Sequence, residues 1–159
     1  MKRYHFIAIG GSAMHSLAIA LKEKGDQISG SDDAIFDPSK KQLLKAAIYP
    51  EKMGWYPEKI SKDLDAVILG MHAKADNPEL LTAQSLGLKI YSYPEFIAHF
   101  SKRKTRVVIA GSHGKTTISA MVLHVLNYHD RSVDFMLGAQ LDGYNNSVSL
   151  TEKNDFILL

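Results

Sequence analysis

The amino-acid sequence predicts an α/β fold with a mainly parallel sheet. Apolar runs of strand length alternate with segments of helical period, the pattern of consecutive β-α-β units rather than of a sandwich or a bundle. Twice a strand-like run turns through glycines directly into a helix, at Ile9-Gly10-Gly11-Ser12 and at Ala110-Gly111-Ser112-His113-Gly114-Lys115. At 159 residues the chain is long enough for one ordinary domain and hardly long enough for two.

The first strand reads as Tyr4 to Ile9. Through Gly10-Gly11 it enters a helix whose Met14, Leu17, Ala18 and Leu21 fall at i, i+3, i+4 and i+7, and Gly25 closes that helix. A second strand, Gln27 to Gly30, delivers Ser31-Asp32-Asp33, and Ala66 to Leu69 is a third. Asn77-Pro78-Glu79 gives the next helix a cap, a proline in its first turn and an early acid, and Gly87 ends it. Leu88 to Tyr91 is a fourth strand, and Pro94-Glu95 opens a short helix.

The basic stretch from Ser101 to Arg106 reads as a solvated hinge, because no aromatic residues interleave its charges as they do on nucleic-acid-binding surfaces. Arg106 to Ala110 is the next strand, and Ile118, Met121, Val122 and Val125 form one apolar face of the helix beyond the glycines. Val133 to Leu137 and Phe156 to Leu159 are the last strands. The likeness of Tyr49-Pro50-Glu51-Lys52 to Tyr56-Pro57-Glu58-Lys59 is too short to signal a repeat architecture.

Composition excludes several functions. Nineteen Lys and Arg against 17 Asp and Glu leave a formal charge of +2, too weak a field to recruit nucleic acid. The absence of cysteine removes disulfides, thiol nucleophiles and thiolate zinc sites, and suits a reducing cytosol. No run approaches the ~20 apolar residues of a membrane span, and the N-terminus carries no cleavage-site pattern, so the expectation is a cytoplasmic protein without a membrane partner. The seven histidines show no metal-ligand spacing, and no nucleophile elbow is present.

Two constellations remain. Gly10-Gly11-Ser12-Ala13-Met14 lies where a tight turn brings backbone N–H groups and the positive end of a helix against a phosphate or pyrophosphate. A dinucleotide fingerprint would place glycines at positions 8, 10 and 13; Ala8 and Ala13 break it, while Asp32 supplies the acid expected about twenty residues on. The residues leave open NAD binding, another nucleotide-like ligand, or a turn with no ligand. Gly111-Ser112-His113-Gly114-Lys115-Thr116-Thr117 has the parts of a phosphate loop, with Lys115 suited to the β and γ phosphates of ATP and the Thr116 hydroxyl to Mg²⁺. Ile109 stands where the strict motif has glycine, so the loop is a shortened variant. Among the histidines, only the position of His113 suggests a role.

These features, in this order, resemble the opening of the Mur ligases, ATP-dependent enzymes that add amino acids or peptides to UDP-N-acetylmuramic acid in cell-wall synthesis and recycling. The matching residues are Ile9-Gly10-Gly11-Ser12-Ala13-Met14, Gly30-Ser31-Asp32, Asp76-Asn77-Pro78-Glu79, and Gly111 to Thr117, which is similar to the family's G-T-x-G-K-T-T loop. Within the family the pattern is most similar to the members that take L-alanine or a murein tripeptide as the amine. Asp76 to Glu79 favours the former and Gly70 the latter.

The resemblance implies a Rossmann-like UDP-muramate-binding domain over residues 1–103 and the truncated start of a P-loop ATPase domain over residues 104–159. It implies backbone contacts from Gly10, Gly11, Ser12, Ala13 and Met14 to the UDP-N-acetylmuramate pyrophosphate, with Ser31, Asp32, Gly70, Met71, His72 and Ala73 near the uridine. ATP would meet Gly111, Ser112, Gly114, Lys115, Thr116 and Thr117. Lys115, Thr116 and His113 would be the catalytic group, with Thr116 on Mg²⁺. The implied chemistry is attack of the substrate carboxylate on the γ-phosphate of ATP and displacement of phosphate from the acyl phosphate by the amine.

On this reading the chain is the N-terminal fragment of such a ligase and binds the UDP-sugar without turnover, the amine being selected by a missing C-terminal domain. The departures at Ala8, Ala13 and Met71-His72 bear on the UDP contacts. Two other classes compete. An NAD-binding regulatory module leaves Lys115-Thr116 without a role, and a stand-alone P-loop phosphotransferase lacks room for its remaining parts.

Overall fold

Strands β1 (Arg3–Ile7), β2 (Gln27–Ser31), β3 (Ala66–Leu69) and β4 (Ile90–Ser92) pair in parallel in the order β2-β1-β3-β4. The chain leaves β1 for β2 on one side and later returns to β3 on the other, so the strand order reverses between β1 and β3. In open α/β sheets the crevice beyond the carboxyl ends of the strands at such a reversal is where ligands bind. The computed structural model describes residues 1–139, 144 and 146–159, and these divide into two compact units, Met1–Ile97 and Ala98–Leu159.

β1 ends at Ile7, short of the expected Ile9, because Ala8 adopts a left-handed conformation with φ 64°. The N–H groups of Ala8 and Ile9 then both donate to the Ser31 carbonyl, at 2.9 and 3.2 Å. Holding a Cβ-bearing residue in this region costs about 1–3 kcal/mol, against about 0.4–1 kcal/mol for the extra unfolded-state freedom of glycine. Ala8→Gly is therefore expected to stabilise the first unit by up to about 2.6 kcal/mol, seen as a higher denaturant midpoint at unchanged slope.

Helix α1 (Ser12–Glu23) buries Met14, Leu17, Ala18 and Leu21 as the periodicity predicts. It also buries His15, Ser16, Ile19 and Ala20, so it is enclosed on nearly every side. Gly25, at φ 100°, follows it, and Asp26 N–H returns to the Leu21 carbonyl at 3.0 Å. Helix α2 (Ser39–Lys45) has no counterpart in the periodicity, since among its residues only Ser39 and Leu43 are buried.

Helix α3 (Pro78–Ser85) has the expected cap: Asn77 Oδ1 accepts the N–H groups of Glu79 and Leu80 at 2.9 and 3.2 Å. It packs Leu80 and Ala83 onto Ile7, Val67, Ile60 and Leu64. Helix α4 (Tyr93–Phe100) sets Phe96 edge-on against Tyr4, with ring centroids 5.3 Å apart.

In the second unit β5 (Thr105–Val107), β6 (Asp134–Met136), β7 (Val148–Ser149) and β8 (Phe156–Leu158) are ordered β5-β8-β6-β7, with the β6–β7 pair antiparallel and the others parallel. Three expectations are corrected here. The strand expected to reach Ala110 stops at Val107, although Ile109 N–H still donates to the Leu159 carbonyl at 2.8 Å.

The stretch 101–106 is solvated only in part: Lys102, Arg103, Thr105 and Arg106 are exposed, but two of its residues turn inward. Ser101 is fully buried at the start of a 3₁₀ turn, and the Lys104 side chain, 8% exposed, lies 3.0 Å from the carboxylate of Asp134. A lysine whose partner lies thirty residues on gives no local signal of burial. Helix α5 (Lys115–Tyr128) packs Leu123, with Val122 beside it, against Phe135, Leu137 and Leu158, while Ile118, Met121 and Val125 are exposed. The helix carries two apolar stripes, and the periodicity alone does not say which one meets the sheet.

Candidate functional site

The carboxyl ends of β1, β2 and β3 bring together three of the segments singled out in the sequence. Gly10 N–H donates to Asp32 Oδ2 at 2.7 Å, and Gly70 N–H donates to the Ile7 carbonyl at 2.9 Å. A Cβ at Gly70 would lie 2.9 Å from both the Ala8 Cβ and the Ile7 carbonyl oxygen, so the β1 and β3 loops are in backbone contact here. Glycine at 70 is thus required by space, given alanine at 8.

The individual residues take different positions. Gly11 caps α1 without a side-chain hydrogen bond, and Ser12 and Ala13 are exposed, so the first turn of the helix presents its N–H groups outward. Met14 is buried, leaving only its backbone for a ligand. Ser31 is fully buried at the end of β2, where its carbonyl anchors Ala8 and Ile9.

Asp32 is buried too, and its Oδ2 is occupied by the Gly10 N–H. Burial, with help from neighbouring Asp33, pushes its carboxyl above the ordinary aspartate range against the pull of the Gly10 N–H. Met71 and His72 are exposed on a turn closed by Ala73 N–H to the Gly70 carbonyl at 3.1 Å, and Ala73 packs toward the core beneath α3.

The phosphate-type loop belongs to the second unit. Gly111 and Gly114 have φ of 152° and 76°, the latter in the left-handed conformation, and Gly114 caps α5. Such positions favour glycine and turn successive N–H groups to one side. Lys115 Nζ donates to the Gly111 carbonyl at 2.6 Å, folding the amine over its own loop, and His113 Nδ1 lies 3.2 Å from Ser112 Oγ. Thr116 is half-buried in the first turn, and Thr117 is exposed.

This geometry suits an anion held by N–H groups and one ammonium. The Mg²⁺ expectation rests on the Thr116 hydroxyl, because no group of three or more His, Asp or Glu that could hold a metal occurs among the described residues. Among those residues, too, no helix is long and apolar enough to cross a membrane.

Three buried polar residues escape sequence reasoning. His15 lies with Nδ1 3.0 Å from the Gly11 carbonyl and from Ser39 Oγ, and with Nε2 2.9 Å from Gln42 Oε1, tying α2 to the glycine turn. His5 Nε2 and Glu79 Oε2 lie 3.2 Å apart, both fully buried. The one available signal was a histidine inside the apolar run Tyr4-His5-Phe6-Ile7.

Burial alone would raise the Glu79 carboxyl, but its contacts with His5 and the Tyr56 N–H outweigh it and hold the group below its ordinary value of 4.5. A carboxylate depressed on folding contributes stability that is full above the unfolded value and is lost as pH falls through the folded one. The first unit is therefore expected to lose stability on acidification below pH 4.5, which denaturant midpoints measured from pH 6 downward would show.

A parallel sheet with a glycine turn at its strand-order reversal, and in the second unit a glycine-lysine-threonine loop opening a helix, define a chain of the α/β class. Its family follows from comparison. Residues 3–105 match the profile of the Mur ligase family, catalytic domain, and the chain belongs to the Mur ligase family.

The UDP-N-acetylmuramate–L-alanine ligase of Carboxydothermus hydrogenoformans is 36% identical over 147 residues, covering 91% of this chain and 31% of that protein. The enzyme of the same name from Clostridium acetobutylicum is 35% identical, covering 99% of this chain and 34% of its own. Among solved structures, the UDP-N-acetylmuramate:L-alanyl-γ-D-glutamyl-meso-diaminopimelate ligase of Neisseria meningitides has a TM-score of 0.81 at 28% identity, covering 99% of this chain and 52% of that one. The UDP-N-acetylmuramate-alanine ligase MurC of Thermotoga maritima gives 0.78 at 26%, covering 100% and 37%. The chain thus spans about a third of the length of the curated relatives it matches.

Proposed function

We propose that this chain is the UDP-sugar-binding part, with the beginning of the ATP-binding part, of a ligase that joins L-alanine or a murein tripeptide to UDP-N-acetylmuramate in peptidoglycan biosynthesis or recycling. The observation that carries the reading is the crevice between β1 and β3. There an α1 terminus without a side-chain cap, the Gly10-Gly11 turn and the Gly70–Ala73 turn converge on one place, in a chain whose relatives carry that substrate in their names.

In this reading residues 1–103 hold the nucleotide sugar and residues 104–159 open the ATP site. The N–H groups of Gly11 to Met14 meet the diphosphate, and the Gly70–Ala73 turn lies beside the nucleoside. Asp32 acts mainly by fixing the turn through Gly10 N–H, since one of its oxygens is already committed there. ATP with Mg²⁺, when bound, supplies the phosphoryl group that activates the substrate carboxylate. Lys115 neutralises phosphate charge, Thr116 offers its hydroxyl to the metal, and the backbone of Gly111 to Thr117 orients the nucleotide, with His113 at the loop's rim. The chain by itself binds the UDP-sugar without ligating it.

Thermal-shift titration tests this. Saturating UDP-N-acetylmuramate is expected to raise the melting temperature of the first unit, with a stabilisation of about 2.7 kcal/mol at a hundredfold excess over Kd. UDP should do so more weakly and NAD⁺ not at all. Stabilisation by NAD⁺ without any by UDP compounds would replace the ligase reading with the dinucleotide one.

A further inference from the structure

Below the β1/β3 crevice lies a buried polar cluster that the proposed ligand contacts do not use. Glu79, in the first turn of α3, and His5, in the middle of β1, are both fully buried, with Oε2 and Nε2 3.2 Å apart. On its other side the His5 ring meets β2, where Ser29 Oγ lies 2.8 Å from Nδ1. The second carboxylate oxygen, Oε1, accepts the Tyr56 N–H at 2.7 Å. Leaving a buried carboxylate or imidazole unpaired costs far more than one hydrogen bond returns. Satisfying this carboxylate therefore requires β1, α3 and the segment around Tyr56 to hold fixed positions together, with β2 joined through the imidazole.

Both lips of the crevice are connected to these groups. The segment that ends at Tyr56 is held again at Gly54, whose N–H donates to the Asp32 carbonyl at 2.7 Å in an isolated antiparallel bridge. Asp32 in turn holds the Gly10 N–H with its carboxylate. On the other lip, the loop that begins at Gly70 ends at Asn77, whose side chain caps the same helical turn that carries Glu79. Moving Glu79 would shift the end of that loop directly and the Gly10 turn through Tyr56, Gly54 and Asp32.

We propose that the buried His5–Glu79 pair is a positioning device for the nucleoside-diphosphate-sugar site, fixing the two loops that flank the β1/β3 crevice without touching the ligand. The inference rests on the UDP-sugar reading above. Being fully buried, neither side chain reaches a ligand in the crevice; their action passes through Tyr56 and the first turn of α3.

Calorimetric titration with UDP-N-acetylmuramate, paired with hydrogen exchange, tests it on the full chain. Glu79→Ala is expected to weaken binding about tenfold or more and to remove protection selectively from the Tyr56 and Gly54 amides. Glu79→Gln, which keeps both hydrogen-bonding positions, should stay within about threefold of the unsubstituted chain. Phe96→Leu is the control: it lowers stability through the contact with Tyr4, which alternation along β1 places on the opposite face from His5, and should leave the affinity unchanged.

If Glu79→Ala does not fold, His5→Gln makes the same comparison, because it loosens Glu79 from β1 and keeps a polar side chain. Unchanged affinity in Glu79→Ala or His5→Gln, equal weakening in Phe96→Leu, or retained Tyr56 protection would each overturn the proposal. If the unsubstituted chain shows no saturable binding, the UDP-sugar reading falls and the proposed site device with it. Binding by the unsubstituted chain that Glu79→Ala leaves intact overturns the positioning proposal alone.

Discussion

Asp134→Ala is expected to cost the second unit about 3–5 kcal/mol, the price of breaking a buried charge pair from one side. Asp134 is fully buried at the start of β6, and its Oδ2 lies 3.0 Å from Lys104 Nζ just ahead of β5. Its Oδ1 accepts Thr151 N–H, Thr151 Oγ1–H and an Asn154 Nδ2 hydrogen at 3.0, 2.8 and 2.8 Å. Lys104 also donates to the carbonyls of Thr151 and Asn154. One carboxylate therefore joins the approach to β5, the start of β6 and the turn between β7 and β8.

Small domains are stable by only about 5–15 kcal/mol, so a loss of this size removes a large share of the second unit's stability and makes its opening far more frequent. Hydrogen exchange should show the amides of β5, β6 and β8 losing protection while those of β1 to β4 keep theirs. Replacing both partners by apolar residues, Lys104→Met with Asp134→Leu, should cost less than Asp134→Ala, because no charge is then left buried alone. Full protection in Asp134→Ala would show that the network contributes little.

The strands and helices of the first unit were legible because their signals are local. Asn77-Pro78-Glu79 announces a helix start through a side chain that bonds two residues on, and Gly25 and Gly87 mark ends that need positive φ, which they adopt at 100° and 66°. Helix α2 was not legible, since a run of Ser-Lys-Lys-Gln-Leu-Leu-Lys has no apolar period and is held by tertiary contacts such as Gln42 with His15.

The same distinction separates Lys104 from the residues around it. Nothing within several positions of Lys104 forecasts a buried partner at 134, so the stretch reads as solvent-facing until the fold brings the two together. The apolar face of α5 fails for a related reason: two stripes compete, and the sheet that selects between them is assembled from β6 and β8, far along the chain.

The candidate site divides along that line as well. Its glycines could be read from sequence, whereas the roles of Ser31 and Asp32 could not. A fingerprint reads an acid after β2 as a ligand group, but here its Oδ2 is drawn inward to the Gly10 N–H and Ser31 supplies a carbonyl to the β1 turn. A spacing rule points to Asp32, 22 positions from Gly10, but not to its inward bond, and His15 and the His5–Glu79 pair are bonded across 27 and 74 positions, distances over which no spacing rule operates. Sequence therefore picked out the glycine turns, and long-range hydrogen bonding determines which of the residues around them are held inward and which face outward.

Gly10→Ala is expected to weaken UDP-N-acetylmuramate binding about thirtyfold, equivalent to about 2 kcal/mol, while Gly11→Ala leaves the fold nearly unchanged. The added methyl at position 10 would lie 2.8 Å from Ile35 Cγ1, 3.1 Å from Ile35 Cγ2 and 2.9 Å from Asp32 Oδ2. Ile35 is itself buried, so it has little room to yield, and inserting a methyl into such packing costs about 1–3 kcal/mol. The carboxylate it would displace is the acceptor of the Gly10 N–H, so the substitution works against the bond that shapes the turn. Glycine is needed at 10 for space rather than for a positive φ. At Gly11 the nearest atom to an added Cβ is Met14 Cγ at 3.4 Å, ordinary contact distance, so the stability cost should be small. Calorimetric titration and melting temperatures of the two variants separate the effects: equal affinity in Gly10→Ala and the unsubstituted chain would move the diphosphate away from this turn, whereas a loss confined to Gly10→Ala ties it to the geometry that Asp32 enforces.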